Sequence, residues 1–178
     1  MSSMSTVLRA AAFAADKHRT QKRKGKMERP YVGHCIEVAR IIAEIGKVDD
    51  ADILAAALLH DTIEDQDVKP EEIRKEFGSA TEGMVLEVTD DKSLDRQERR
   101  RLQVVNAPHK SPGAKLIKLA DKISNVREIG VDPPTHWDRE RRLEYYAWGT
   151  EVVNALGAVN PQMEELFRTT VETARRQT

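Results

Sequence analysis

The chain has 178 residues, of which 39% are hydrophobic, so it is long enough for one soluble globular domain with its own core. A formal net charge of -1 and only 4% aromatic residues argue against a globally basic nucleic-acid binder and against base-stacking platforms for single strands. No apolar run reaches the ~20 residues of a membrane span, and residues 1–15 do not resemble a signal peptide, because Arg9 interrupts the apolar stretch.

Helical periodicity runs through almost the whole chain, and apolar spacing predicts the first three helices. A first helix is expected over residues 5–22. A second is expected over residues 32–45, where His34 falls on the same apolar stripe as Val38 and neighbouring isoleucines. The third, over residues 50–60, is apolar nearly all round, which is typical of the buried centre of a helical bundle.

Capping patterns mark the later helices. Residues 79–82 and 95–98 have the spacing of a capping box, and 111–112 and 160–161 each place an N-cap residue before a proline. A long helix is expected over residues 137–156, and no segment alternates as a strand does. The sequence therefore predicts an all-α bundle of about eight to ten helices. It forms one domain over 1–178, with a C-terminal helix at 160–175.

Four polar residues interrupt the apolar helices in an unexpected way. His60 and Asp61 end the most apolar helix, His34 lies on an apolar stripe, and Asp121 lies within an amphipathic helix. Each alone is more often a satisfied structural residue than a ligand. Two imidazoles and two carboxylates together suit a divalent ion such as Mn, Fe or Zn, with positions left for water or substrate. The set of four therefore predicts a metal site.

Two further carboxylates, Glu64 and Asp65, follow this set directly. In isolation they are typical of a solvated acidic loop, since Asp67 and Glu71 continue the acidic run. Next to a metal, carboxylates can orient or deprotonate a bound water. We therefore interpret Glu64 and Asp65 as candidate catalytic residues.

Basic residues are concentrated in two places. Between positions 17 and 29 the only acid is Glu28, and residues 96–101 hold four arginines. Such runs are mostly solvated faces, but arginine and lysine near a metal favour a ligand that carries phosphates. Together with a metal-activated water, they indicate hydrolysis of a phosphoester or phosphoanhydride.

Several segments, in order and without a large gap over residues 5–157, resemble the hydrolase domain of RelA/SpoT-type stringent-response proteins. His34, His60–Asp61 and Asp121 reproduce the H…HD…D pattern of the HD-domain metal-dependent phosphohydrolases. The resemblance is closest to the free-standing small alarmone hydrolases of the Mesh type. The further segments are RTQKRK (19–24), PYVGH (30–34), AALLHDTIED (56–65), EVTDDK (87–92), KLIKLADKISN (115–125) and YYAW (145–148).

The resemblance implies an HD-domain fold and a Mn²⁺-dependent hydrolase that removes the 3′-pyrophosphate from guanosine 3′,5′-bis(diphosphate), (p)ppGpp, leaving GDP or GTP. The partner is then a small nucleotide, with no nucleic acid and no membrane. The metal ligands implied are His34, His60, Asp61 and Asp121, and the residues that direct the water are Glu64 and Asp65. The implied substrate contacts are Arg23, Lys24, Arg96, Asn125, Arg141 and Tyr145.

The chain departs from the family pattern at Cys35, where the family often has proline after the first metal histidine. A geometric effect is expected, although oxidation or ligation by the thiol is conceivable. As the one cysteine, Cys35 cannot form an internal disulfide, which favours a reducing cytoplasm. The chain has no room for a synthetase domain, so the expected activity is degradation of the alarmone.

Other functions stay open at this stage. The same centre could act on the adenine alarmone (p)ppApp or remove the 2′-phosphate of NADPH, since base discrimination depends on pocket contacts. A non-catalytic alarmone sensor is disfavoured because Glu64, Asp65 and all four ligand positions are present. A nucleic-acid-binding module is disfavoured by the near-neutral charge and the few aromatic residues; a steep salt dependence of DNA or RNA binding would support it. The native metal, the oligomeric state and the regulation are open.

Overall fold

The computed structural model describes residues 3–178; residues 1 and 2 of the predicted domain lie outside the described residues. The all-α prediction is confirmed, because this part of the chain holds ten α-helices and, apart from one isolated bridge between Lys22 and Pro30, no strand pairing. A π-helical turn, Ile41–Ile45, extends α2, and a 3₁₀ turn, Ala107–His109, follows α7. The helices are α1 (Ser3–Lys17), α2 (Val32–Arg40), α3 (Ala51–Leu59), α4 (Thr62–Gln66), α5 (Pro70–Phe77), α6 (Ser79–Val88), α7 (Arg96–Asn106), α8 (Pro112–Val131), α9 (Arg139–Leu156) and α10 (Pro161–Gln177). None of these described helices is long and apolar enough to cross a membrane.

Helix α3 lies at the centre of the bundle, as its all-round apolar sequence predicts. It packs against α1, α2, α6 and α8. Ala55, Ala56 and Ala57 are fully buried, and their small side chains let the neighbouring helices approach closely. Helix α8 forms a second axis that packs against α2, α6, α9 and α10. The C-terminal end of α3 and the middle of α8 are therefore held in fixed relative positions.

Most of the predicted helix caps are present. Side-chain oxygens of Asp95, Ser111 and Asn160 accept backbone N–H groups in the first turns of α7, α8 and α10. Asp50, which was not predicted as a cap, does the same for α3. Each cap satisfies donors that have no partner inside the helix.

The capping box predicted at Ser79 is wrong. Ser79 is already helical, and the N-cap position is Gly78, whose φ of 93° lets the chain turn between α5 and α6. Glu82, which would have to reach back to the cap, instead accepts a hydrogen bond from Arg74 Nε at 2.6 Å. The Glu82 side chain therefore forms an ion pair with Arg74 and does not form the capping box that the local sequence predicts.

The first helix ends five residues earlier than predicted, at Lys17 and not at Lys22, and it begins two residues earlier, at Ser3. His18 and Gln21 turn inward, with His18 Nδ1 2.6 Å from Gln21 Oε1, and the chain continues as a loop up to α2. The long helix α9 likewise begins at Arg139 after an Asp138 cap, two residues later than predicted. Both corrections lengthen the loops that surround the candidate site.

Candidate functional site

Three of the predicted metal ligands meet where α2, α3 and α8 pack together. His34 lies in the first turn of α2, His60 caps the C-terminal end of α3, and Asp121 lies in the middle of α8. The Nε2 atoms of His34 and His60 lie 3.3 Å and 3.8 Å from Asp121 Oδ1, and all three side chains are buried. One ligand atom from each lies within 4.8 Å of the others, which is compact enough to hold a metal ion.

The unpartnered nitrogen atoms of this cluster suit a divalent cation. His34 Nε2 and His60 Nε2 are buried and have no hydrogen-bond partner, a situation that costs ~1–3 kcal/mol per group when nothing binds there. Both atoms face a carboxylate, and neutral imidazole nitrogen with carboxylate oxygen is a common donor set for Mn, Fe and Zn. The cluster is therefore a possible divalent metal site.

A second layer of hydrogen bonds fixes both histidine rings. His34 Nδ1 lies 2.8 Å from Ser124 Oγ, and Ser124 in turn donates to Glu37 Oε2 at 2.6 Å. His60 Nδ1 lies 2.8 Å from the Ala57 carbonyl, which can only accept. Because Nδ1 of each ring is the donor, Nε2 keeps a lone pair for a ligand, as second-layer partners do in metal proteins.

Asp61, the fourth predicted ligand, lies at the break between α3 and α4. It is the residue before Thr62, with φ -102° and ψ 0°, so its side chain leaves the helix axis and turns back to the cluster. Its Oδ2 lies 3.0 Å from His60 Nε2 and 3.6 Å from His34 Nε2, and it accepts a hydrogen bond from Tyr31 at 2.7 Å. The helix break is what lets the adjacent residues His60 and Asp61 face one point.

The two charges of this pair stabilise each other. Burial alone would lower the pKa of His60, but in the metal-free cluster the Asp61 carboxylate more than offsets this and raises the pKa to about 9. A metal ion would therefore displace a proton to reach the Nε2 lone pair. Burial would likewise raise the pKa of Asp61, but the neighbouring His60 holds it well below its usual range. The Asp61 carboxylate is thus kept ionised, the form in which a carboxylate binds a metal.

The two candidate catalytic acids lie on α4, next to the cluster. Both Asp65 oxygens are held, because Oδ2 accepts from Gln21 Nε2 at 2.8 Å and Oδ1 from Lys92 Nζ at 2.7 Å. Glu64 accepts a hydrogen bond from the backbone N–H of Asp90 at 3.1 Å. Partial burial raises the pKa of Glu64 to about 6, so it changes charge near neutral pH.

A cavity of about 350 Å³ opens beside these acids. The predicted residues that line it are Arg23, Lys24, Glu64, Asp65, Asn125 and Tyr145. Among these, Asn125 links the cavity to the metal cluster: its Nδ2 donates to Asp121 Oδ1 at 2.5 Å, and its Oδ1 accepts from Arg23 at 2.9 Å. Gln21, Tyr31, Asp132, Pro134 and Trp137 also line the cavity. A larger cavity of about 570 Å³, lined by residues of α9 and α10 and the segment between them, contains none of the predicted site residues.

The remaining predicted substrate contacts, Arg141 and Arg96, do not line this cavity. The Arg141 guanidinium lies 4.7 Å above the ring of Trp137, which does line it, and Arg141 Nε is a buried donor without a partner. Arg96 is exposed in the first turn of α7. One turn later the Arg100 guanidinium lies 4.9 Å from the centre of the Trp148 ring. Burial, together with the nearby charge of Arg96, lowers the pKa of Arg100.

Several neighbours of the site were not predicted from sequence. Lys122 is buried, with Nζ 3.3 Å from Asp121 Oδ2 and 4.5 Å from the centre of the Trp148 ring. Gln21 and Tyr31 lie in segments that carry the family resemblance, so their positions in those segments were an available indication. Lys122 and Ser124 follow Asp121 closely in the chain, but nothing in their spacing distinguishes a ligand's partner from a core residue.

Cys35 lies in the core beside His34, with its side chain fully buried. Burial raises the pKa of its thiol well above the ordinary value, so the protonated, unreactive form is favoured. The candidate metal group contains His34, His60 and Asp121 and does not include this sulfur. Within residues 3–178, Cys35 is therefore a packing residue in place of the proline that is frequent in the family.

The arrangement defines a class of protein: an α-helical domain with a possible divalent metal site, formed by histidine and aspartate side chains on packed helices. The family described as the HD domain matches residues 10–146. This range includes every predicted site residue.

Similar proteins narrow the class. The guanosine-3′,5′-bis(diphosphate) 3′-pyrophosphohydrolase MESH1 of Mus musculus is 48% identical over 162 residues, which cover 91% of this chain and 90% of the relative. MESH1 of Drosophila melanogaster is 49% identical over 160 residues, which cover 88% and 89%. A solved structure, described as a metazoan ortholog of SpoT that hydrolyzes ppGpp and plays a role in starvation responses, gives a TM-score of 0.91 at 45% identity, with 94% of each chain covered. This chain belongs to the HD-domain family and, within it, to the family of the MESH1 proteins.

Proposed function

We propose that this protein is a Mn²⁺-dependent hydrolase that removes the 3′-pyrophosphate from (p)ppGpp and releases GDP or GTP. The observation that carries the proposal is the pair of unpartnered Nε2 atoms facing Asp121, beside a cavity lined by both acids and bases. The 3′-pyrophosphohydrolase activity for which the MESH1 relatives are named supports this choice of substrate. The family membership supports the reaction class.

In this proposal His34, His60, Asp61 and Asp121 hold the metal, which supplies Lewis-acid activation of water and phosphate. Water attacks the phosphorus bonded to the ribose 3′ oxygen and gives up a proton, the bond between that phosphorus and O3′ breaks, and that proton ends on O3′ as the ribose hydroxyl. Asp65 orients the water, since Gln21 and Lys92 fix both of its oxygens. Glu64, with its pKa raised to about 6, is a carboxylate at neutral pH and accepts the proton of the water.

The substrate contacts follow from charge and position. Arg23 and Lys24 bring cationic groups to the mouth of the cavity, where they bind the nucleoside end of the substrate. Asn125 and Tyr145 line the wall between that end and the metal. Arg141 uses its unpartnered Nε for a phosphate, and Arg96 reaches the phosphates only from the outer rim.

The metal, the location and the domain organisation belong to the same proposal. Mn²⁺ suits mixed imidazole and carboxylate ligands that leave positions open. The single, unpaired Cys35 suits a reducing cytoplasm. Residues from α1 to α10 share one core, which supports a single domain over residues 1–178.

Product analysis by chromatography tests the proposal. The purified protein is offered ppGpp, ppApp and NADPH in turn, with Mn²⁺ and in a matched sample with excess chelator. Metal-dependent release of pyrophosphate from ppGpp, faster than from ppApp, is the expected result. Faster turnover of ppApp, or release of orthophosphate from NADPH alone, would keep the metal site and overturn the substrate. A protein that binds metal and ppGpp without turnover would be a sensor.

A further inference from the structure

One stripe of helix α8 joins the metal cluster to the loop that carries the basic residues. Asp121, Asn125, Glu128 and Asp132 follow each other at intervals of four, three and four residues, so they lie on one side of the helix. Asp121 belongs to the metal cluster, and Asp132 is the residue directly after α8 ends at Val131. At a rise of 1.5 Å per residue the two are about 16 Å apart along the axis.

The loop over residues 22–30 closes on itself at its base. Arg23 N donates to Arg29 O at 2.9 Å, and Tyr31 N donates to Gln21 O at 2.9 Å. Lys22 and Pro30 form the isolated antiparallel bridge. These bonds join the two ends of the loop, but they do not fix where its tip lies relative to the rest of the molecule.

Asp132 fixes the tip. Its Oδ1 accepts the backbone N–H of Lys26 at 2.8 Å, and its Oδ2 accepts the backbone N–H of Met27 at 3.0 Å. The Asp132 side chain is buried, although both of its partners are exposed residues. Two backbone donors on one buried carboxylate form a strong clamp, because hydrogen bonds to a charged acceptor are about twice as strong as neutral ones.

Gly25 completes this clamp. A Cβ atom at Gly25 would lie 2.3 Å from Asp132 Cγ and 2.4 Å from the Asp132 carbonyl oxygen, far closer than atoms can approach. The carboxylate therefore packs directly against the glycine backbone. Any side chain at this position would push the loop tip away from α8.

We propose that Asp132 is a positioning residue for substrate binding: through its clamp on Lys26 and Met27 it sets where Arg23 and Lys24 stand relative to the metal cluster. The proposal rests on the proposed function, because it takes Arg23 and Lys24 as nucleotide contacts. The α8 stripe then acts as a fixed spacer between the reacting end and the nucleoside end of the ligand. Asp132 itself does not take part in the chemical step.

The variant Asp132→Asn tests this most directly. The amide keeps the size of the side chain but replaces one acceptor oxygen with an NH₂ group that faces a backbone donor. We expect the KM for ppGpp to rise about tenfold, the scale of one lost hydrogen bond to a charged group. We expect kcat to stay within about twofold, since the metal cluster lies at the other end of the stripe and the two acids lie on α4 next to that cluster. Bound Mn²⁺ per protein stays at the wild-type value.

Gly25→Ala is a second variant that should raise the KM for ppGpp, because it displaces the loop tip from Asp132. It keeps the proposal testable if Asp132→Asn folds poorly. The two changes act on one contact, so the KM of the double variant is expected to be close to that of the worse single variant. Amide hydrogen exchange at Lys26 and Met27 reports the clamp without any substrate, and both amides are expected to exchange faster. Asp50→Asn is the matched control, because Asp50 also accepts two backbone N–H groups but lies at the start of α3.

The outcomes separate the possibilities. A raised KM with unchanged kcat in Asp132→Asn or Gly25→Ala, and not in Asp50→Asn, supports the proposal. A lower melting temperature with an unchanged KM means that Asp132 is merely structural, which overturns it. Unchanged exchange at both amides also overturns it. Failure of the proposed function gives a different result, because the wild-type protein then does not hydrolyse ppGpp. The hydrogen-exchange experiment still measures whether Asp132 protects the Lys26 and Met27 amides.

Discussion

The metal cluster and the basic loop over residues 22–30 are the two halves of the candidate site, and they are built in opposite ways. His34, His60 and Asp121 are buried side chains on three packed helices, and each histidine ring has a second partner. The basic loop is largely exposed, and α8 holds it through Arg23, Arg29 and the Asp132 clamp. The cluster is held by the core of the bundle, whereas the loop is held by a few individual hydrogen bonds.

The difference has a physical reason. Chemistry at a metal requires ligand atoms fixed within a fraction of an ångström, and only packed helices with second-layer hydrogen bonds provide that precision. Binding a charged nucleotide requires cations at an opening that water and ligand can reach. Changes in the cluster should therefore affect metal content and kcat, and changes in the loop should affect KM.

The largest effect is expected for Asp121→Asn. Loss of the carboxylate removes a proposed metal ligand and leaves Lys122 without its ion-pair partner in the core, so we expect bound Mn²⁺ to fall and activity to drop more than about 10³-fold. Metal analysis and ppGpp turnover measure both. Asp132→Asn, a buried aspartate on the same stripe, is the matched control and should retain its metal. If Asp121→Asn keeps its full metal content, Asp121 is not a ligand.

Asp65→Asn comes next. The amide preserves size and leaves the metal ligands untouched, so we expect normal melting temperature and metal content with kcat lowered about 10²- to 10⁴-fold, the range for a positioned acid or base. Asp67→Asn is the control, because Asp67 is exposed, lies just after the same helix and has a φ of 52° that asparagine tolerates. Wild-type turnover in Asp65→Asn would contradict the role given to Asp65.

Ser124→Ala tests the second layer of the metal cluster. The change removes the acceptor for His34 Nδ1 and the link to Glu37, so the affinity for Mn²⁺ should fall about 10- to 100-fold. The KM for ppGpp at saturating Mn²⁺ should not change. Thr150→Ala removes a comparable hydroxyl in α9, far from the cluster, and should leave the metal affinity as it is. Equal affinities in the two variants would mean that the second layer is not needed.

The smallest effect of this series is expected for Arg23→Ala. Loss of the guanidinium should raise the KM for ppGpp about tenfold, as for one lost charged hydrogen bond, with metal content unchanged. Lys26→Ala is the control within the same loop, because Lys26 does not line the cavity. A fall in bound metal in Arg23→Ala would show that the metal cluster and the basic loop do not act separately.

The two halves also differ in how far the sequence predicts them. The metal residues are readable because histidine and aspartate on apolar helical faces stand out against their surroundings, and their spacing matches the HD pattern. Glu64 and Asp65 could be predicted as candidate acids because they follow His60 and Asp61 closely in the chain. The basic residues of the loop stand out in the sequence as a run of charge, but such a run does not predict where the side chains lie relative to the metal cluster. The first helix was accordingly predicted through residue 22, and the structure ends it at Lys17.

Partners that come from distant parts of the chain were not predictable. Gln21 and Lys92 hold Asp65 from opposite directions, and Asp132 clamps a loop that lies more than a hundred residues earlier. Each is an ordinary polar residue in its own segment. Arg96, which the family resemblance implies as a phosphate contact, is exposed and does not line the cavity, so that contact stays a prediction.

The sequence by itself determined the all-α class, the helix caps at Asp95, Ser111 and Asn160, and the types of ligand available for a metal. These properties depend on periodicity and on chemistry within a few residues, which the chain carries locally. Only the tertiary structure decided that His60 and Asp61 face one point, that Nε2 is the free nitrogen of both histidines, and that Asp132 holds the basic loop. Those features depend on which helices pack together, and that is a property of the whole core.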